Sequence, residues 1–209
     1  MGAFSRMTEL TMTELRMTEF ARSWSAEVLK VPPLIAPARQ FVYPLRIAGE
    51  EDAMERGALQ LLVRPAASGG RSGSFLATCA LGFRDPALPS GVFPCPAVDD
   101  MLAVAGGYAY LVNTTTPEKC VHLPLRPVTE IRSVVEEGLI LLAGFHTVAA
   151  VGATGLLWET GKLSWEGVRM GEVRDGKLHG EGWNMQTDRD VPFSVDLRTG
   201  AHEGGGLIR

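Results

Sequence analysis

Residues Glu137 to Trp165 read EGLILLAGFHTVAAVGATGLLWETGKLSW, the densest apolar stretch of the chain, and Gly144, Gly152, Gly155 and Gly161 divide it into pieces of strand length. Two short apolar runs joined by Gly152-Ala153-Thr154-Gly155 read as an antiparallel hairpin with both strands mostly buried. A helix over the same residues would carry several interior glycines, each costing about 1 kcal/mol against alanine, and its Thr, Val and Trp residues favour strands. The stretch therefore argues for sheet.

Composition agrees. Of 209 residues, 45% are hydrophobic and 21% charged, while 24 glycines and 13 prolines punctuate the chain, which is the profile of a folded, turn-rich, all-β protein. Length alone allows one domain or a tight pair, and one is expected. The 20 basic and 24 acidic residues give a net charge of −4 and form no block of like sign, so the basic stripe that nucleic acid demands is missing. Cys79, Cys95 and Cys120 are odd in number and not spaced as CxxC, which disfavours a disulfide framework or zinc knuckle and suggests reduced, buried thiols. No secretory signal pattern or membrane-length apolar run occurs, so a cytoplasmic location with no membrane partner is expected.

Residues 6 to 20 repeat Met-Thr-Glu with a period of five, from Met7, Met12 and Met17, each followed by Leu10, Leu15 or Phe20. Five matches neither the helix nor the strand period. A tandem duplication near the start codon accounts for it better than a docking arm, and residues 1–23 are expected to form a disordered extension ahead of a single all-β domain at 24–204. From Trp24 to Pro44 four prolines suggest a surface strap, with an edge strand at Phe41 to Ile47 interrupted by Pro44. Ala48 to Gly57 reads as a charged loop or one helical turn, Ala58 to Val63 as a strand, Ala66 to Gly73 as a hairpin tip and Ser74 to Phe83 as a buried strand. The proline-rich RDPALPSGVFPCP that follows reads as a crossing loop with Cys95 as its candidate exposed thiol. Gly204-Gly205-Gly206 reads as a frayed end.

Met101 to Asn113 (MLAVAGGYAYLVN) aligns with Gly138 to Ala150 at an offset of 37, pairing Leu102 with Leu139, Gly107 with Gly144 and Tyr108 with Phe145. Gly182-Trp183 follows Gly144-Phe145 by 38 residues, and LLWETG at Leu156 matches VDLRTG at Val195 at an offset of 39. A period near 38 lies in the range of stacked β units. The turn in FSVDLRTGAHEG, with Thr-Gly again in GLLWETGKLSW, resembles the Asp, Thr-Gly turn of quinoprotein-type β-propeller blades. That resemblance covers residues about 100–203 and implies blade-like antiparallel sheets, with no cofactor ligands to carry over. Gly171 to Trp183, GEVRDGKLHGEGW, is similar to a single MORN repeat and implies a hairpin turning at Asp175-Gly176, itself a strong turn signal.

The expected architecture is thus antiparallel blade-like β units, a small or incomplete propeller, with a β-sandwich as the alternative. Chemistry is sparse. His122, His146, His179 and His202 lie far apart without metal-ligand spacing. His146 falls in the apolar stretch as a core histidine, whereas His179 belongs to a hairpin and is expected to be exposed. Trp158 and Trp165 read as core plugs. No nucleophile elbow occurs, and Ser164 and Ser194 have no adjacent base, so no catalytic residue, metal or cofactor is assigned.

The best concentration of binding residue types is WNMQTDRD, where Trp183 could anchor and Arg189 read a carboxylate, with Asn184, Asp188 and Asp190 alongside and His179 nearby. The plainer account gives Asn184, Thr187 and Asp188 to the turn itself and pairs Arg189 with a neighbouring acid. Two functions follow: a non-enzymatic binding or scaffold module for a protein partner, or a small-ligand binder or enzyme using 183–190 with His179. No motif encodes substrate, partner identity or oligomeric state.

Overall fold

A computed structural model describes residues 19–44, 53–66 and 73–206. Among these the protein is all-β, with sixteen strands in four four-stranded sheets and two short 3-10 turns, Ala53–Arg56 and Val135–Glu137. The Met-Thr-Glu repeat and most of the 66–73 tip lie outside the described residues. The first sheet holds β1 (Trp24–Leu29), β2 (Arg39–Tyr43), β3 (Ala58–Pro65) and β4 (Phe75–Ala80), in the order β1-β3-β4-β2. Here β2 runs parallel to β4 and the other pairs are antiparallel.

The remaining sheets are antiparallel meanders, each a blade-like unit. The second comprises β5 (Gly91–Pro94), β6 (Asp100–Ala105), β7 (Tyr108–Asn113) and β8 (Cys120–His122). The third is β9 (Glu130–Val134), β10 (Leu139–Ala143), β11 (Val148–Gly152) and β12 (Gly155–Glu159). The fourth is β13 (Val168–Arg174), β14 (Lys177–Asn184), β15 (Arg189–Asp196) and β16 (His202–Gly204). None closes into a barrel, and four sheets rather than two set aside the sandwich.

The strand period of two explains how the sheets stack. Along β10, Leu139, Leu141 and Ala143 join a core with the fourth sheet, while Ile140 and Leu142 join another with the second. Along β6, Met101, Ala103 and Ala105 face the first sheet and Leu102 and Val104 face the third. The described residues therefore form three apolar seams, first to second, second to third and third to fourth. No buried apolar cluster among the described residues joins the first sheet to the fourth. The dense apolar runs are strands of the two interior sheets, buried on both faces, where continuous rather than alternating hydrophobicity is required.

Several expectations are corrected. The strap at 24–44 contains β1 and β2, which lie at opposite edges of the first sheet. The crossing loop contains β5, and Cys95 is buried. In the Gly152–Gly155 hairpin β11 is wholly buried but β12 is largely exposed, because it is the edge of its sheet. The buried partner of β11 is β10, and the turn between them, 144–147, leaves His146 exposed. Trp165 is likewise exposed, whereas Trp158 packs on the third seam and donates from Nε1 to the Leu197 carbonyl at 2.9 Å.

The two aligned segments differ in register past the glycine. Gly106-Gly107 is a two-residue turn, so Tyr108 opens β7, while Phe145, its aligned counterpart, stays in the longer turn. The two Thr-Gly pairs differ in place: Thr160-Gly161 follows β12, the last strand of its sheet, and Thr199-Gly200 turns β15 into β16. The C-terminal glycines are packed rather than frayed. The Gly206 amide donates to the Leu163 carbonyl at 2.6 Å, and a Cβ at Gly205 would meet that carbonyl oxygen at 2.8 Å.

Candidate functional site

The fourth sheet ends the stack, so one face enters the third seam and the other faces outward. On β14 the inward residue Leu178 is buried, and His179, Glu181 and Trp183 alternate onto the opposite face. Asp175 and Gly176, with φ of 52° and 69°, form the β13–β14 turn where the Asp-Gly pair places it; two positive φ values mark a type I′ hairpin.

The loop at 183–190 is the β14–β15 turn. Asn184 is 2% exposed, and its Oδ1 accepts from the amides of Gln186 at 2.9 Å and Thr187 at 3.1 Å. Asp188 takes a φ of 51° and accepts from Trp183 Nε1 at 3.1 Å. Asn184 and Asp188 are therefore committed to the turn. Asp190 is committed too, since Arg169 Nη2 reaches its Oδ2 at 2.5 Å and Glu181 Oε2 at 2.8 Å. The hydrogen bonds it donates to Glu181 and then Asp190 push the Arg169 guanidinium further towards its charged form. Arg189 and Met185 stand exposed beside this network.

His179 is half-buried, mid-strand and opposite Ser194. It lines a shallow hollow of about 460 Å³ with Glu172, Arg174 and Glu181 near the register break in β13. Four residues along a strand span about 13 Å, so His179 and Trp183 share a face without sharing a cluster. Arg169, which organises this face, is absent from the sequence-level candidates; its signal was the alternation of 179, 181 and 183, which demands a charged partner for Glu181 on the neighbouring strand.

The turn is held rigidly from behind. Buried Ser164 accepts at Oγ from the Trp183 amide at 2.9 Å and donates to the Gly167 carbonyl at 2.9 Å, and the Trp165 amide bonds the Trp183 carbonyl at 3.0 Å. Exposed His146 also belongs to this junction, its Nδ1 lying 3.1 Å from the Ser164 carbonyl. Burial pushes the Cys79 and Cys95 thiols well above their ordinary range and Cys120 up to about 12, which leaves little thiolate for nucleophilic chemistry. Among the described residues no group of three or more His, Cys, Asp or Glu could hold a metal ion, and no helix is long and apolar enough to cross a membrane. No protein-family model matches the chain, and no curated protein matches it.

Proposed function

We propose that the protein is a non-enzymatic binding module of the cytoplasm that presents the outward face of its fourth sheet, with the 184–188 turn, to a protein partner. The observation that carries this reading is the division of labour in the turn. Asn184, Asp188 and Asp190 are consumed by internal hydrogen bonds, and what remains outward is the half-buried Trp183 ring with exposed Met185, Gln186, Thr187 and Arg189 beside a charged network, an aromatic and an arginine being residue types from which contact anchors are made. A surface pre-set in this way loses little entropy on association. The blade-like sheets support reading the whole as an incomplete propeller that serves as a rigid mount, and three free thiols suit a reducing compartment.

Affinity capture from cells of origin with wild type and with Trp183→Ala/Arg189→Ala tests it. Loss of specific partners from a variant with unchanged thermal stability is expected, and an unchanged partner set would overturn the role of this face. A second reading rests on the hollow at His179, where an imidazole meets Glu172 and Arg174 and a small polar ligand could lodge. Histidine-detected NMR titrations separate the two, because a ligand there shifts His179 without requiring Trp183.

A further inference from the structure

The seam between the first two sheets opens at one end into a hollow of about 480 Å³, far from the fourth sheet, between the edge strands β2 and β8. Its size falls in the roughly 300–1,000 Å³ range of small-molecule sites. Phe41 and Tyr43, two residues apart on β2, present nearly parallel rings, 6.3 Å between centroids and 4° between planes. From β8 come Cys120 and His122, with Glu118 just before the strand. His122 lies opposite Tyr110 in register and stacks on it at 4.9 Å and 19°, which fixes the imidazole. Tyr43 is fixed as well, its hydroxyl donating to the Pro117 carbonyl at 2.5 Å. The walls are therefore apolar and aromatic, with a few immobilised polar groups among them.

From this arrangement we infer a binding site for a small aromatic amine. The planar body would lie against Phe41 and Tyr43, and the ammonium would reach Glu118, the carboxylate among the described lining residues. Arg39 sits 3.5 Å from Glu118 Oε1 while its guanidinium also packs over Phe41 and Phe75. A carboxylate has about four acceptor positions, so that pairing leaves room for a ligand donor. The Cys120 thiol, with its raised pKa, contributes as a soft apolar wall and not as a nucleophile. The inference is independent of the fourth-sheet reading, and neither result decides the other.

The test is a titration of the full chain with phenethylamine at fixed pH, following the ring Cε1–Hε1 signals of the four histidines, with 3-phenylpropionate as the anionic control. Expected is a saturable shift at His122 with a dissociation constant of about 1 mM, near −4 kcal/mol, and no comparable shift at His146, His179 or His202. Glu118→Gln, an exposed and conservative change, should weaken binding about three- to fivefold, the scale of one exposed ion pair. Gln40→Trp at the exposed mouth should weaken it further. No saturable His122 shift, equal shifts at all four histidines, equal binding of phenylpropionate, or unchanged affinity in both variants would each overturn the proposal.

Discussion

The third and fourth sheets share a seam but use it differently. In β10 every residue is buried, and neighbouring side chains enter two different cores. In β14 the inward positions pack and the outward ones carry His179, Glu181 and Trp183. The inner strands of an interior sheet thus commit both faces to packing, whereas an end sheet keeps one face outward along its inner strands as well. Density of hydrophobic residues marks the part of this molecule least able to vary, and the functional search belongs where alternation appears.

The largest effect expected from that contrast is in the core. Leu141→Ala and Leu142→Ala each remove a fully buried side chain, from the third and second seams respectively, and each should cost about 2–5 kcal/mol in denaturant unfolding. Lys177→Ala, on an exposed position of β14, should change stability by no more than about 0.5 kcal/mol. Comparable losses at all three positions would dissolve the distinction between interior and end sheets.

Next comes Gly182→Ala. The new Cβ would be driven into the Leu163 carbonyl, a backbone group that also receives the Gly206 amide and cannot swing aside like a side-chain tip. A loss of about 1–3 kcal/mol is expected from overpacking, with the Trp183 environment visibly changed in fluorescence because the same loop holds its amide. A neutral result would mean that the loop does not brace the candidate face.

The smallest effect concerns the β15–β16 turn. Hydrogen bonds from the Thr199 hydroxyl and then its amide hold the Asp196 carboxyl below its ordinary 3.8. A lowered folded value means that this contribution is present above the unfolded value and lost as pH falls through the folded one. Asp196→Ala should lower the thermal midpoint slightly at neutral pH, and the gap should close below pH 3.8. A gap independent of pH would place the effect in the backbone of the turn instead.

Local signals were the legible ones. The Asp175-Gly176 hairpin, the buried strands around Gly107 and Gly144, and the turn-forming role of Asn184 all follow from residues within a few positions of each other. Strand β2 was legible as an edge strand from Phe41, though not its parallel pairing of Arg39 with Phe75; β1 was not legible, because it is strand only through a distant partner, Trp24 aligning with Pro65, and β8 and β9 were missed because they are three and five residues long with little apolar alternation. His146 was misplaced for a related reason. Aligning Gly107 with Gly144 fixes where β6 and β10 end, but the next turn is two residues in one unit and four in the other. At the candidate site the turn could be read, whereas the bridge from Arg169 to Glu181 and Asp190 joins three strands, and the alternation of 179, 181 and 183 pointed to a charged partner without naming it.

Three seams in series also make this a protein without a single centre. Among the described residues each interior sheet is held by two neighbours and each end sheet by one, so its cohesion approaches a sum of nearest-neighbour terms, as in a repeat array. Opening is then cheapest at the ends, and the fourth sheet can detach by breaking one seam while the other two remain closed. The outward face of the fourth sheet thus belongs to one of the two sheets held by a single apolar seam among the described residues.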